Sequence, residues 1–171
     1  MLAGKNVEVK IDLPSEREIA LTCRLKRSSR LLFEAWTKPE HLRNWWGCEG
    51  STITVCEVDL RVGGEWRIVL RMADGRDHPF RGIYHEIVPN LRLVYSERYE
   101  QPDLDNPEWL TTVSFEEAEG GTLLTHRILH RSREERDGHL RAGMEEGTAQ
   151  SMRRLNDHTA TMPDSTLLHN K

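Results

Sequence analysis

Between residues 51 and 130 the chain alternates apolar and polar side chains in one short segment after another, and a turn signal closes each. No other feature restricts the fold so much. Period-two alternation makes a sheet with one dry face and one wet face, and the dry face must be covered. In 65–72, Trp66, Ile68, Leu70 and Met72 share a face, and Ala73-Asp74-Gly75-Arg76 turns the chain back. Segments 79–87 and 91–99 flank Val88-Pro89-Asn90 as a second hairpin, followed by a polar loop at 101–108. Segments 109–116 and 122–130 flank a four-residue loop that sets Glu117 opposite Thr122. Phe115 then faces Leu124, Val113 faces His126, Thr111 faces Ile128 and Trp109 faces His130. Trp109, Val113, Phe115, Leu124, His126 and Ile128 fall on the dry face; Thr112, Ser114, Glu116, Thr125 and Arg127 fall on the wet one.

One stretch is large enough to cover such a sheet. After the capping box Ser132-Arg133-Glu134-Glu135, the residues Leu140, Met144, Thr148, Met152, Leu155, Thr159 and Met162 recur at three- and four-residue steps. That is the pattern of one long helix. Gly138, Gly143 and Gly147 lie in it, each costing roughly 1 kcal/mol against alanine. They mark either a close approach to the sheet or a loose helix beside a cavity. Ahead of the sheet, alternation predicts strands at 6–13 and 16–26, the second with Ile19, Leu21, Cys23 and Leu25 on one face. Two short helices follow. Ser28 or Ser29 caps the first; a capping box at Thr37-Lys38-Pro39-Glu40 opens the second, and Gly47 stops it. The expected class is α+β: a curved antiparallel sheet wrapped around a long C-terminal helix. Residues 1–15 form an N-terminal extension that offers an extra strand, 16–162 the domain, and 163–171 a flexible tail.

A length of 171 residues suits one domain. Lys+Arg 24 against Asp+Glu 28 gives a net charge of −4, which argues against general nucleic-acid binding. With 37% hydrophobic and 30% charged residues, no membrane-spanning run and no signal-peptide core, a soluble cytoplasmic protein is expected. Cys23, Cys48 and Cys56 show no metal or redox spacing and read as reduced thiols, Cys23 inert among aliphatics. His126 and His130 are four apart, but on a strand that spans ~13 Å, too far to share an ion. Asp103-Leu104-Asp105-Asn106 lacks the glycine and glutamate of a calcium loop, and Gly63-Gly64 lacks the rest of a phosphate loop. No metal and no cofactor is expected.

His126 lies on the dry face, either as a core histidine satisfied by one hydrogen bond or as a polar anchor in a ligand cavity. Arg81, taken in phase with Ile83 and Ile87, either points inward or makes an ion pair with Glu97 on the next strand at the rim. Trp45, Trp46, Trp66, Tyr95 and Trp109 either line a mouth or are plain core.

Five words stand in order along the chain: Glu34-Ala35-Trp36-Thr37-Lys38-Pro39-Glu40-His41-Leu42, Trp45-Trp46-Gly47, Asp59-x-Arg61-x-Gly63-Gly64, Phe80-Arg81-Gly82-x-Tyr84-x-Glu86-Ile87-Val88-Pro89 and Gly143-Met144-Glu145-x-Gly147. Together they resemble the bacterial single-domain relatives of the activator of the ninety-kilodalton heat-shock chaperone's ATPase, within the START-like helix-grip superfamily. The likeness covers about residues 16–160. It implies a seven-stranded antiparallel sheet gripping the C-terminal helix around a cavity; superfamily relatives bind lipids, plant hormones or polyketides, and a few catalyse. The chain departs from the pattern at Ser28-Ser29 (often Ala-Pro), at Cys48 (often Pro) and at Thr148 (often Trp), so pocket shape does not transfer.

The expected ligand-lining set is Trp45, Trp46, Trp66, Ile68, Arg81, Ile83, Tyr95, Trp109, Val113, Phe115, His126, Met144, Thr148 and Met152. The favoured function is non-catalytic binding of a small hydrophobic or aromatic molecule between sheet and helix. The alternatives are regulation of a heat-shock chaperone ATPase in a stress response, and a cyclase or hydrolase using His126 with a carboxylate. No fixed acid–base pair is legible, and the sequence carries no sign of oligomeric state.

Overall fold

Strand β1 (Val9–Asp12) pairs with β2 (Glu18–Leu25), after which two short helices, α1 (Ser29–Thr37) and α2 (Pro39–Trp45), lead to six further strands. These are β3 (Thr52–Val58), β4 (Glu65–Arg71), β5 (Asp77–Val88), β6 (Arg92–Tyr99), β7 (Glu108–Ala118) and β8 (Gly121–Leu129). Helices α3 (Arg133–Arg141) and α4 (Met144–Ala160) end the fold. The computed structural model describes residues 7–100 and 107–164, so most of the 101–108 loop and most of the expected tail lie outside the described residues.

The sheet runs β1-β2-β8-β7-β6-β5-β4-β3, antiparallel throughout. It has eight strands rather than the seven that the resemblance implied, because β1 adds to the edge of β2, Val9 opposite Cys23. Since β2 lies near one edge and β3 at the other, their connection must cross the sheet. Helices α1 and α2 make that crossing over the inner face. The β7–β8 register is the one expected: Glu117 opposite Thr122, Phe115 opposite Leu124, Val113 opposite His126 and Thr111 opposite Ile128. Only the turn is tighter, since Ala118 and Gly121 also pair.

Three local expectations are corrected. Ser28 caps α1 through its hydroxyl, accepting from the Leu31 N–H at 3.3 Å. Thr37, however, does not open α2. Its hydroxyl donates back to the Phe33 carbonyl at 2.8 Å as the last residue of α1, and Lys38 starts α2 without a side-chain cap. Helix-internal back-bonding by threonine competes with capping, and here it wins. The second correction is larger. The expected single long helix is two helices, broken where Gly143 takes φ +86°, a conformation that an L side chain adopts only under strain. Ser132 caps α3 as expected, accepting from Glu135 N at 3.2 Å, but the Glu135 carboxylate turns to the Arg131 N–H instead of completing the box.

The core lies between the inner face of the sheet and α1, α2 and α4. Leu32, Ala35, Trp45, Leu93, Val113, Phe115, Leu124, Met152 and Leu155 are its most enclosed members. Burying each of the larger side chains contributes roughly 1.5–3 kcal/mol. Helix α4 is also pinned by polar contacts: Ser151 Oγ and the Arg154 guanidinium donate to the Gly47 carbonyl at 2.8 and 2.9 Å. That fixes the helix against the loop after α2 without side-chain volume from Gly147, around which a Cβ would meet nothing.

Candidate functional site

Between the sheet and α4 lies a hollow of about 310 Å³. Its floor comes from the inner-face positions of five strands: Leu70 of β4, His78 and Phe80 of β5, Tyr95 and Glu97 of β6, Trp109 of β7, and His126 and Ile128 of β8. Trp36, Trp45, Trp46 and Cys48 form one wall; Met144, Thr148, Ser151 and Met152 of α4, with His139 of α3, form the roof. A second hollow of about 600 Å³ adjoins it and shares His78, Phe80, Trp109, His139 and Met144. A third, of about 650 Å³, involves Arg17, Arg98, Glu108 and Arg131, and no helix contributes to its lining.

The walls are held in place by hydrogen bonds as well as packing. Trp45 donates its indole N–H to the Ala35 carbonyl at 2.9 Å, and Trp36 donates to the Tyr95 hydroxyl at 3.3 Å. Trp36 and Trp45 pack with ring centroids 4.6 Å apart, and His126 meets the Trp36 ring edge-on at 5.8 Å. Trp109 packs on His139 at 4.7 Å, and His139 Nδ1 lies 2.9 Å from His130 Nε2, which ties α3 to β8.

The floor carries a polar patch. Glu97 pairs with Trp109, and Tyr95 with Thr111, across the β6–β7 ladder. Thr111 pairs with Ile128, and Val113 with His126, across β7–β8. Thr111 therefore sits between Glu97 and His126 on the two diagonals. Trp109 Nε1, Thr111 Oγ1 and His126 Nδ1 are buried without a hydrogen-bond partner. Most buried polar atoms are paired, so two of them at the hollow, Trp109 Nε1 and His126 Nδ1, with Thr111 fully buried behind them, need an explanation. Burial pushes the Glu97 carboxyl up to about 7; the neighbouring Trp109 N–H and Thr111 hydroxyl oppose that rise without closing to hydrogen-bond geometry. Burial pushes His126 down to about 4 and, with the nearby His130 and His126 rings, His139 to about 4 as well. Both Glu97 and His126 retain some accessible surface because they face the hollow, although protein surrounds them.

Of the residues expected to line a ligand site, Trp45, Trp46, Tyr95, Trp109, His126, Met144, Thr148 and Met152 meet around the hollow. Trp66 and Ile68 point inward from β4 but into packed core, and Val113 and Phe115 lie deeper still, at 0% and 1% exposure. Arg81 and Ile83 are on the wrong face. Arg81 is exposed, opposite Arg98, and bonds Glu100 and Glu65; Ile83 is 40% exposed. The reason is a β-bulge between Tyr84 and Glu86, which reverses the alternation. Extrapolating back from Ile87 across it assigns the wrong face, whereas Phe80, Gly82 and Tyr84 are the inward set. The expected Arg81–Glu97 ion pair is therefore absent, since the two groups lie on opposite faces. Glu97, Trp36, His78, Phe80 and His139 were not anticipated. Glu97 was legible: it follows Tyr95 by two residues on an unbulged strand.

Among the described residues, no group of three or more His, Cys, Asp and Glu could hold a metal ion, and no helix is long and apolar enough to cross a membrane. Burial raises the Cys23 thiol to about 12 and raises that of Cys56, while Cys48 is part-exposed at the edge of the hollow. Native labelling with a small maleimide is expected to modify Cys48 first; faster modification of Cys23, read by peptide mass mapping, would contradict this.

An antiparallel sheet closed on its inner side by a C-terminal helix, with a lined hollow between them, defines the START-like helix-grip class. Within that class, the sequence pattern described as "Activator of Hsp90 ATPase homolog 1-like protein" matches residues 26–160, and the chain belongs to this family. A Rhodobacter sphaeroides protein of known structure is 25% identical, with a TM-score of 0.81, over 91% of this chain and 100% of its own. One from Chromobacterium violaceum is 26% identical, with a TM-score of 0.76, over 88% and 100%. A Silicibacter pomeroyi family member, 20% identical over 84% and 97% with a TM-score of 0.72, shares the fold. No curated protein matches the chain.

Proposed function

We propose that the protein binds a small, largely apolar or aromatic molecule in the hollow between the sheet and α4, without transforming it. The observation that supports this is the hollow itself: about 310 Å³, walled by Trp36, Trp45, Trp46, Phe80, Met144 and Met152, with a few convergent polar groups on its floor. Sites for small molecules combine apolar walls with a small number of oriented polar atoms. Catalysis is the weaker reading, because among the described residues no carboxylate orients His126 through its Nδ1.

Thr148→Trp tests the reading. Thr148 faces the hollow, and the neighbouring Gly147 leaves space beside it. The indole is expected to fill the space, abolish binding of an uncharged hydrophobic dye and leave the melting temperature at or above the parent's. If α4 has no such space beneath it, the same change overpacks and costs ~1–3 kcal/mol. Destabilisation in the variant with no dye binding in the parent would reject the ligand site. Mass spectrometry of gently purified protein provides a second check, through a carried-over ligand. The family description favours a second reading, chaperone regulation; co-purification with the ninety-kilodalton chaperone and a change in its ATPase rate would support it.

A further inference from the structure

The polar patch on the floor restricts what the hollow can hold, given the ligand-binding reading above. Glu97 is enclosed, and among the described residues no lysine or arginine pairs with it; Arg98, next in sequence, is exposed and pairs with Glu108. Nor does any lysine or arginine line the hollow. Aromatic side chains share the hollow with the carboxyl group instead: Tyr95, Trp109, Trp36, Trp46 and Phe80 line the same space. An anionic ligand would face an unneutralised carboxylate there. A cation would find a counter-charge and ring faces, each of which attracts it.

The two unpartnered atoms at the hollow fit the same occupant. Nδ1 of a neutral His126 can accept an N–H in the matching tautomer. Trp109 Nε1–H can only donate, and the ionised Glu97 carboxylate beside it is its natural acceptor. An ammonium group thus supplies donors to the acceptors and holds Glu97 in the form that accepts from Trp109. A neutral carbonyl ligand would meet the Trp109 N–H but leave His126 to pair as a donor or not at all.

We propose that the hollow binds a small organic cation: a protonated primary or secondary amine on an aromatic or branched aliphatic body, its ammonium against Glu97 and His126 and its body under Met144 and Met152. At the roughly 30 Å³ that a water-sized group takes in a liquid, 310 Å³ holds a ligand of roughly ten non-hydrogen atoms.

Calorimetric titration at pH 8 of the full chain with 2-phenylethylamine and with its neutral counterpart 2-phenylethanol tests this. The amine is expected to bind at least about tenfold more tightly than the alcohol. In Glu97→Gln that preference is expected to fall to about one while alcohol binding persists. His126→Phe, which removes one acceptor and keeps a ring, is expected to weaken the amine several-fold and the alcohol little; it supplies the answer if the glutamine variant does not fold. Equal or tighter binding of the alcohol by the parent overturns the cation proposal and leaves the ligand site standing. An amine preference that survives both substitutions also overturns it. If neither probe binds and the uncharged dye also fails, the ligand site falls with it.

Discussion

Gly82→Ala is expected to destabilise the protein by at least about 3 kcal/mol, or to prevent folding. A Cβ built at Gly82 would lie 1.7 Å from the Ser96 carbonyl oxygen and 2.6 Å from Trp66 Nε1. The first of these is backbone and cannot swing aside. The close approach exists because the Trp66 indole donates to that same Ser96 carbonyl at 3.2 Å, across the width of β5. Only a residue without a side chain lets the indole pass. The alanine variant must push β5 from β6 or give up the bond, and both disturb the strand that presents Glu97. Chemical denaturation measures the effect; a loss below 1 kcal/mol would show that the strands separate freely here. As a control, Gly120→Ala sits in an open turn where a Cβ meets nothing, so it has only the strain of its positive φ to bear.

Glu97→Gln is expected to raise stability at pH 8 by roughly 1–3 kcal/mol, and by little or nothing near pH 4.5. The sign follows from the direction of the shift. The folded carboxyl titrates at about 7 against 4.5 for the exposed group. The stability contributed by its proton is fully present below 4.5 and is lost as pH rises through 7. Above that, the folded protein carries a buried carboxylate that glutamine replaces with a neutral group of the same shape. His126 and His139 act in the opposite sense. Their folded values, about 4 against 6.5, mean that stability is full above 6.5 and falls as pH drops toward 4. The variant keeps that acid loss, and its own gain builds up between pH 4.5 and 7 and is complete above 7. Melting curves of both proteins from pH 4.5 to 8 check this. A gain of the same size at every pH would mean that the glutamine acts through packing, and that Glu97 is not held protonated.

Much of the architecture could be read from the chain because it depends on short-range rules. Alternation places Ile19, Leu21, Cys23 and Leu25 on one face of β2, and the β7–β8 register follows from one turn and a period of two. Ser28 caps α1 for the same local reason. Even the hollow's roof, Met144, Thr148 and Met152, follows from helical spacing once a sheet is granted. Local rules failed wherever two structures compete for the same few residues. Thr37 had a capping role and a back-bonding role open to it, and the packed end of α1 selected the second. Gly143 could sit in a helix at a modest cost, or end one at none, and the chain breaks there. The β5 bulge carries no local signal at all: it is set by how β5 must fit β6 and β4 together, and it decides that Arg81 faces solvent and Gly82 the core.

What the sequence determined alone is the set of elements and their faces, because periodicity and capping act over a few residues. What only the tertiary structure decided is which faces meet. Glu97, Thr111 and His126 are 14 and 15 residues apart along the chain, on three different strands, and only the β6–β7–β8 registers bring them onto one floor. Burial then limits the water that would otherwise satisfy them, and residues from three strands become one polar patch.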